Sequence, residues 1–167
     1  MPNWCSNTVS IIHPPSMTEE IIAFLADPEE KLHFSLNKIV PMPELPEDDS
    51  GQNAVISNWY SWCVEHWGTK WDVDCAPPSL MNIDDNHNML VYSFDSAWNS
   101  PIEAINVLAE KYSQAYIHLV YDEPGMDFSG TVVWSGGIKQ WHDERGFSLM
   151  NAEMMNDPMI SWENSRG

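Results

Sequence analysis

Four of the nine tryptophans fall within thirteen residues, in the stretch WYSWCVEHWGTKWDVD that runs from Trp59 to Asp74. Each indole carries roughly 150–250 Å² that favours burial. From Ala54 to Trp67 the apolar positions 55, 56, 59, 62, 63 and 67 recur at helical spacing, and Gly68 follows where a left-handed residue would end the helix. A face made of Trp59, Trp62, Cys63 and Trp67 needs a broad apolar partner, which a sheet supplies, and Trp71 is placed to carry the chain onto it. The stretch therefore asks for helices packed on a sheet.

The flanking segments supply the strands. Asn3–His13 alternates in polarity and is closed by Pro14 and Pro15. Ser16 and Glu19 have capping-box spacing ahead of a helix over Met17–Ala26, with Ile21, Ile22 and Leu25 on one side. Leu32–Val40 reads as a second strand, the proline- and acid-rich Pro41–Asn53 as a loop, and Asp74–His87 as irregular. Asn88–Trp98 reads as a strand. Ser100 and Pro101 then have the identities of an N-cap and a first helical residue, opening a helix to Tyr112. Ala115–Tyr121, Phe128–Ser135 and Ile138–Trp141 complete a meander, joined by the turn DEPG, where Gly125 is free to take positive φ, and by Gly136–Gly137.

Helices separated by strands and packed to one face of a mostly antiparallel sheet describe an α+β, ferredoxin-like arrangement. The expected organisation is one domain over residues 1–146, with an acidic, Trp-rich helical insertion at about 41–87. A tail over 147–167 contains Met150, Met154, Met155 and Met159.

The charge limits the partners. Twenty-five acids against seven Lys and Arg leave a formal net charge of −18, and Ile39–Glu110 holds twelve acids but one base, Lys70. Such a surface repels phosphate backbones and anionic membranes, so a basic protein is the expected partner and direct nucleic-acid or membrane binding is disfavoured. Three cysteines, no apolar h-region after Met1 and no long apolar run point to a reduced, cytoplasmic setting in a bacterial host. Oligomeric state is not legible.

No catalytic constellation stands out. Cys63, His66, Cys75 and His87 are weak candidates for a zinc site, because their spacing matches no paired ligand pattern. Cys5, Cys63 and Cys75 lack the basic neighbours that activate a thiol. Asp72 with Asp74, Asp84 with Asp85, and Asp122 with Glu123 are adjacent acids without a calcium-loop pattern, and no phosphate-cradling glycine loop or other cofactor motif is present.

PNWCSN at the N-terminus, HWGTKWD over His66–Asp72, SAWNSP over Ser96–Pro101 and YDEPGMDFSG over Tyr121–Gly130 together resemble the YubB ferredoxin-like domain family of plasmid and phage proteins. The resemblance spans Pro2 to about Gly137 and implies a ferredoxin-like fold and carriage on mobile elements. It implies no catalytic or binding residues.

The expected function is that of a non-enzymatic acidic interaction protein, inhibiting a host nucleic-acid-binding or defence protein by occupying its basic groove. Glu44, Glu47, Asp48, Asp49, Asp84 and Asp85 are the expected contacts, since they lie in irregular, base-poor segments. The alternative is a small-molecule or metal-dependent enzyme with a pocket at the Trp-rich helix.

Overall fold

A computed structural model describes residues 3–44 and 52–146, with side chains of the second stretch described from Trp59 onward. In chain order the elements are β1 (Trp4–His13), a 3-10 turn (Pro15–Met17), α1 (Thr18–Leu25), α2 (Leu36–Ile39) and α3 (Gln52–His66). Then follow β2 (Asp74–Cys75), β3 (Ser79–Asp84), β4 (His87–Ala97), α4 (Ile102–Lys111), β5 (Tyr116–Glu123), β6 (Phe128–Ser135) and β7 (Ile138–Gly146). The Met-rich tail from Phe147 lies outside the described residues.

The seven strands form one antiparallel sheet. β2 and β3 are successive segments of one edge, both paired to β4, and the order continues β4-β1-β5-β6-β7. Each of two strand–helix–strand connections therefore skips a neighbour: β1 crosses to the β2/β3 edge over β4, and β4 crosses through α4 to β5 over β1. That interleaving is the ferredoxin-like split βαβ, extended at one side by the β6–β7 hairpin.

Alternation within the strands decides which face is covered. Val9 and Ile11 of β1, Leu90, Tyr92 and Phe94 of β4, Ile117, Leu119 and Tyr121 of β5, and Val132 and Trp134 of β6 share one buried face. Ile21 and Leu25 of α1 and Ala104, Ile105 and Leu108 of α4 join them in the core. Burying a side chain of this size contributes about 1.5–3 kcal/mol, so the covered face is where the fold's stability is concentrated. Among the described residues, no helix is long and apolar enough to cross a membrane.

The Trp-rich helix forms where its periodicity puts it. Cys63 and Trp67 are buried, Trp59 and Trp62 pack partly buried against the core. Gly68 closes the helix at φ +86°, its N–H reaching the carbonyls of Cys63 and Val64 at 3.1 Å each. A Cβ there would come within 3.1 Å of the Ser100 carbonyl, so the glycine also lets α3 dock on the start of α4. Trp71 does not join that face. It meets Trp4 edge to face, with ring centroids 6.1 Å apart, on the opposite side of the sheet.

Five local expectations are corrected. Leu32–Val40 is not a strand: Leu32 bridges Asp27, and Leu36–Ile39 is a helical turn whose N–H groups are capped from a distance. Asp72 accepts from the backbone of Leu36 (2.7 Å) and Asn37 (3.3 Å) and from the Ser35 hydroxyl (2.8 Å). Phe34 is core, stacked on Phe94 at 4.8 Å, so its apolar spacing reported burial and not a pleat. The second strand of the fold is instead the β2/β3 edge, inside the stretch Asp74–His87 expected to be irregular. Pro77 and Pro78 interrupt it where a missing N–H is tolerated, at the sheet's edge.

The capping signals at both helix starts are also diverted. Met17, not Ser16, is the N-cap of α1 and makes no side-chain cap bond. The Ser100 hydroxyl turns away from α4 to donate to Asn7 Oδ1 at 2.6 Å. In the DEPG turn the positive φ falls on Asp127 (+64°), not Gly125. Gly125 is needed for a different reason, because a Cβ there would lie 2.7 Å from the Asn3 side chain.

Candidate functional site

The four sequence blocks that are far apart in the chain meet at one end of the sheet. The Asn3 carbonyl accepts from the Trp98 N–H (2.8 Å), the Thr69 hydroxyl donates to the Ala97 carbonyl (2.7 Å), and the Ala104 N–H reaches the Trp67 carbonyl (3.3 Å). At their centre lies buried Asn7, whose Nδ2 donates to the Cys5 carbonyl (2.9 Å) and the Ser96 hydroxyl (2.8 Å). Glu123 is fully buried beside them, its two carboxylate oxygens accepting from the N–H groups of Gly125 (2.8 Å) and Met126 (2.7 Å). Losing one partner of such a buried network leaves another polar group unsatisfied, at about 1–3 kcal/mol. The network fixes the strand ends and so fixes what projects from them.

What projects is on the other face. Among the described residues no helix packs there, because β1, β4 and β5 place their even-register partners outward: Asp74 opposite Asp95, Asp95 opposite Ser6, Ser6 opposite Asp122, Asp122 opposite Ser129 and Ser129 opposite Arg145. Asp74, Asp95 and Asp122 thus lie in one row across four strands, about 14 Å wide at 4.8 Å per strand. Asp95 accepts from the Ser6 hydroxyl at 3.0 Å. One oxygen of Asp122 is buried without a hydrogen-bond partner among the described residues. Like charges directly opposite on paired strands are destabilising, and Asp74 and Asp95 are such a pair.

Next to this row is a cavity of about 280 Å³ lined by Trp4, Trp71, Asp72, Asp74 and Asp95. Trp4 is 44% exposed. The Lys70 ammonium lies 4.9 Å from the Trp71 ring centre and 5.8 Å from that of Tyr60, so this indole already holds a cation.

The residues singled out from the sequence are distributed differently. Glu44 is exposed at the end of its described stretch, and Glu47, Asp48 and Asp49 lie outside the described residues. Asp84 and Asp85 are exposed in the β3–β4 turn at the opposite end of the sheet. Eight residue steps along β4 lead from His87 to Asp95, about 26 Å at 3.3 Å per residue. The Asn86 N–H, followed by the His87 ring at 3.0 Å, holds the Asp84 carboxyl below the usual carboxylate range.

The four metal candidates do not meet. Cys63 is in the core, His66 stacks on Trp62 and bonds its carbonyl, Cys75 faces the Ser93 carbonyl at 3.3 Å, and His87 is in the far turn. No group of three or more potential ligands clusters among the described residues. Burial pushes the thiol of Cys5 up to about 12 and those of Cys63 and Cys75 up to about 11, leaving them protonated and poorly nucleophilic near neutrality. The adjacent acids Asp122 and Glu123 face opposite sides of the sheet, one toward the row and one into the core. Asp95, at the centre of the site, was not among the expected contacts. Its parity with Ser6 and Asp74 in the strand pairing is the signal that finds it, and that pairing is non-local.

Fold and site together define an α+β protein of ferredoxin-like fold with one sheet face that no helix covers among the described residues and an acidic row at one end of it. Residues 80–157 match the family model described as the ferredoxin-like domain in Api92-like protein, a match that starts in β3 and runs into the Met-rich stretch. Among solved structures, the crystal structure of a protein Api92 from Yersinia pseudotuberculosis is similar at a TM-score of 0.55 and 10% identity. The match covers 87% of this chain and 99% of that one, and at this identity the likeness is one of fold. No curated protein matches the chain.

Proposed function

We propose that this is a non-enzymatic binding protein that presents the uncovered sheet face to a basic partner protein. The observation that carries the reading is the row Asp74–Asp95–Asp122, in which no carboxylate has a basic side chain paired to it among the described residues, beside exposed Trp4 and half-buried Trp71. Aligned charges of one sign speed encounter with the opposite sign and select against phosphate-bearing partners. Occupying the basic groove of a nucleic-acid-binding or defence protein of a bacterial host is the form of this reading that best suits a net charge of −18. Three buried free cysteines suit a reducing cytoplasm. The motif resemblance adds carriage on a plasmid or phage.

The enzymatic alternative has less behind it. Its thiols are protonated, and Trp67 and Cys63 of the Trp-rich helix are consumed by the core.

The test is direct titration with an oligolysine peptide at low and at physiological salt. Binding that weakens steeply with salt is expected, because exposed charges are screened beyond about 8 Å at physiological ionic strength. Absence of binding at low salt would overturn the reading.

A further inference from the structure

We propose that the cavity between Trp4 and Trp71 is a cation pocket that receives the ammonium head of a lysine from the basic partner. The inference rests on the reading of the uncovered face as a binding surface and names the anchor within it. Carboxylates alone would make only a solvated acidic face. Here they border two indoles inclined at 61° with centroids 6.1 Å apart, so a compact cation entering the corner meets two electron-rich rings and a negative rim. The volume of about 280 Å³ is on the order of nine liquid-water volumes at ~30 Å³ each, enough for an alkylammonium and part of its stem.

The lining residues divide the work. Asp72 is already spent: its oxygens accept from Leu36, Asn37, Ser35 and Val73, which fixes the segment that carries Trp71. Asp74 and Asp95 face each other across paired strands with no basic partner among the described residues, so a cation between them relieves their repulsion as it binds. Lys70 rests on Trp71 and Tyr60 outside the cavity lining, so an incoming ammonium shares or takes over the Trp71 ring, while Trp4 carries no cation among the described residues. An ammonium suits the corner better than a guanidinium, whose plane stacks on a single ring face.

The experiment follows the indole N–H resonances of Trp4 and Trp71 in the full chain during titration at low salt. The probes are N-acetyl-lysine methylamide, its neutral analogue N-acetyl-norleucine methylamide, and N-acetyl-arginine methylamide. The lysine probe is expected to shift both resonances saturably, the norleucine probe to leave them in place, and the arginine probe to bind more weakly. Trp4→Leu, and separately Asp74→Asn with Asp95→Asn, are expected to weaken lysine binding at least tenfold while thermal unfolding stays cooperative. Equal shifts from lysine and norleucine, or lysine binding untouched by Asp74→Asn with Asp95→Asn, would overturn the pocket. Oligolysine that still binds the Trp4→Leu protein at wild-type affinity would overturn it too, while leaving the broader acidic-face reading intact. A lysine probe that binds where oligolysine does not would sustain the pocket and overturn that reading.

Discussion

The two faces of the sheet use the same residue types for opposite ends. On the covered face Trp134 and Trp67 are buried, Trp134 completely, and the Trp134 indole N–H is satisfied by Asn106 Oδ1 at 2.7 Å. On the uncovered face Trp4 and Trp141 stand exposed, Trp4 beside Trp71 and a row of carboxylates. The acids divide in the same way. Glu123 is buried and satisfied by two backbone N–H groups, whereas Asp74, on the edge strand, faces Asp95 and the cavity beside Trp4 and Trp71 with no basic partner among the described residues. Position in the strand register, and not residue type, decides whether an indole or a carboxylate holds the fold together or is left for a partner.

The largest effect that would break this contrast is at Trp134. Trp134→Ala is expected to cost about 3–5 kcal/mol, a large share of a total of roughly 5–15, and Trp67→Ala a similar amount. Chemical denaturation checks it, and an unchanged midpoint for both would mean that the covered face is not the stabilising one.

Alkaline titration reaches buried groups on the covered face. Burial raises the thiols of Cys5, Cys63 and Cys75 to about 12, 11 and 11, above the ordinary value of about 8.5 that they regain on unfolding. A raised pKa means that the folded state binds protons more tightly, so this contribution is fully present below about pH 8.5 and is lost as pH rises through about 11–12. Buried Tyr92 and Tyr121 are also raised, chiefly by desolvation, and act in the same direction. The urea midpoint is therefore expected to hold steady near neutrality and to fall steadily above about pH 9. A midpoint independent of pH across that range would show that these groups titrate as freely folded as unfolded.

Smaller effects come from the seam between the faces. Gly130 lies under the Tyr121 ring, whose hydroxyl bonds His142 at 2.8 Å and also Glu144, and a Cβ there would run into Tyr121 and come 2.9 Å from the Asp143 carbonyl. Gly130→Ala is expected to destabilise by about 1–3 kcal/mol, as overpacking does, with Tyr121→Phe relieving only part of it, because the hydroxyl is removed but the ring and the Asp143 carbonyl stay in the way. Thermal unfolding of the single and double variants reads this. Smallest of all, Asp95→Asn on the uncovered face is expected to stabilise by a few tenths to about 1 kcal/mol by removing the opposed charge of Asp74.

Much of the fold was legible because it is local. The alternation of Thr8, Tyr92, Leu119 and Val132, the helical spacing of Ile21 and Ile105, and the stop at Gly68 each lie within a single element, and each element formed there. What failed was long-range. Asp72 caps a helix more than thirty residues earlier, Ser100 abandons its cap for Asn7, and the edge strand is split by prolines into a two-residue piece and a six-residue piece that is exposed throughout. The candidate site was harder still. Asp84 and Asp85 stand out as a pair in a turn, whereas Asp74, Asp95 and Asp122 become neighbours only once β2, β4, β1 and β5 are laid side by side.

The central claim is that the position of the acids on the uncovered face, and not their number, makes the binding surface. Two triple variants test it: Asp74→Asn, Asp95→Asn and Asp122→Asn at one end of the sheet, and Glu44→Gln, Asp84→Asn and Asp85→Asn elsewhere. Each removes three of the 25 acids, so both leave the same net charge. Titrated with oligolysine at low salt, the first is expected to lose at least about tenfold in affinity, equivalent to ~1.4 kcal/mol, and to show a shallower salt dependence, while the second stays near wild type. Equal losses in the two would contradict the account, since the partner would then be reading total charge alone.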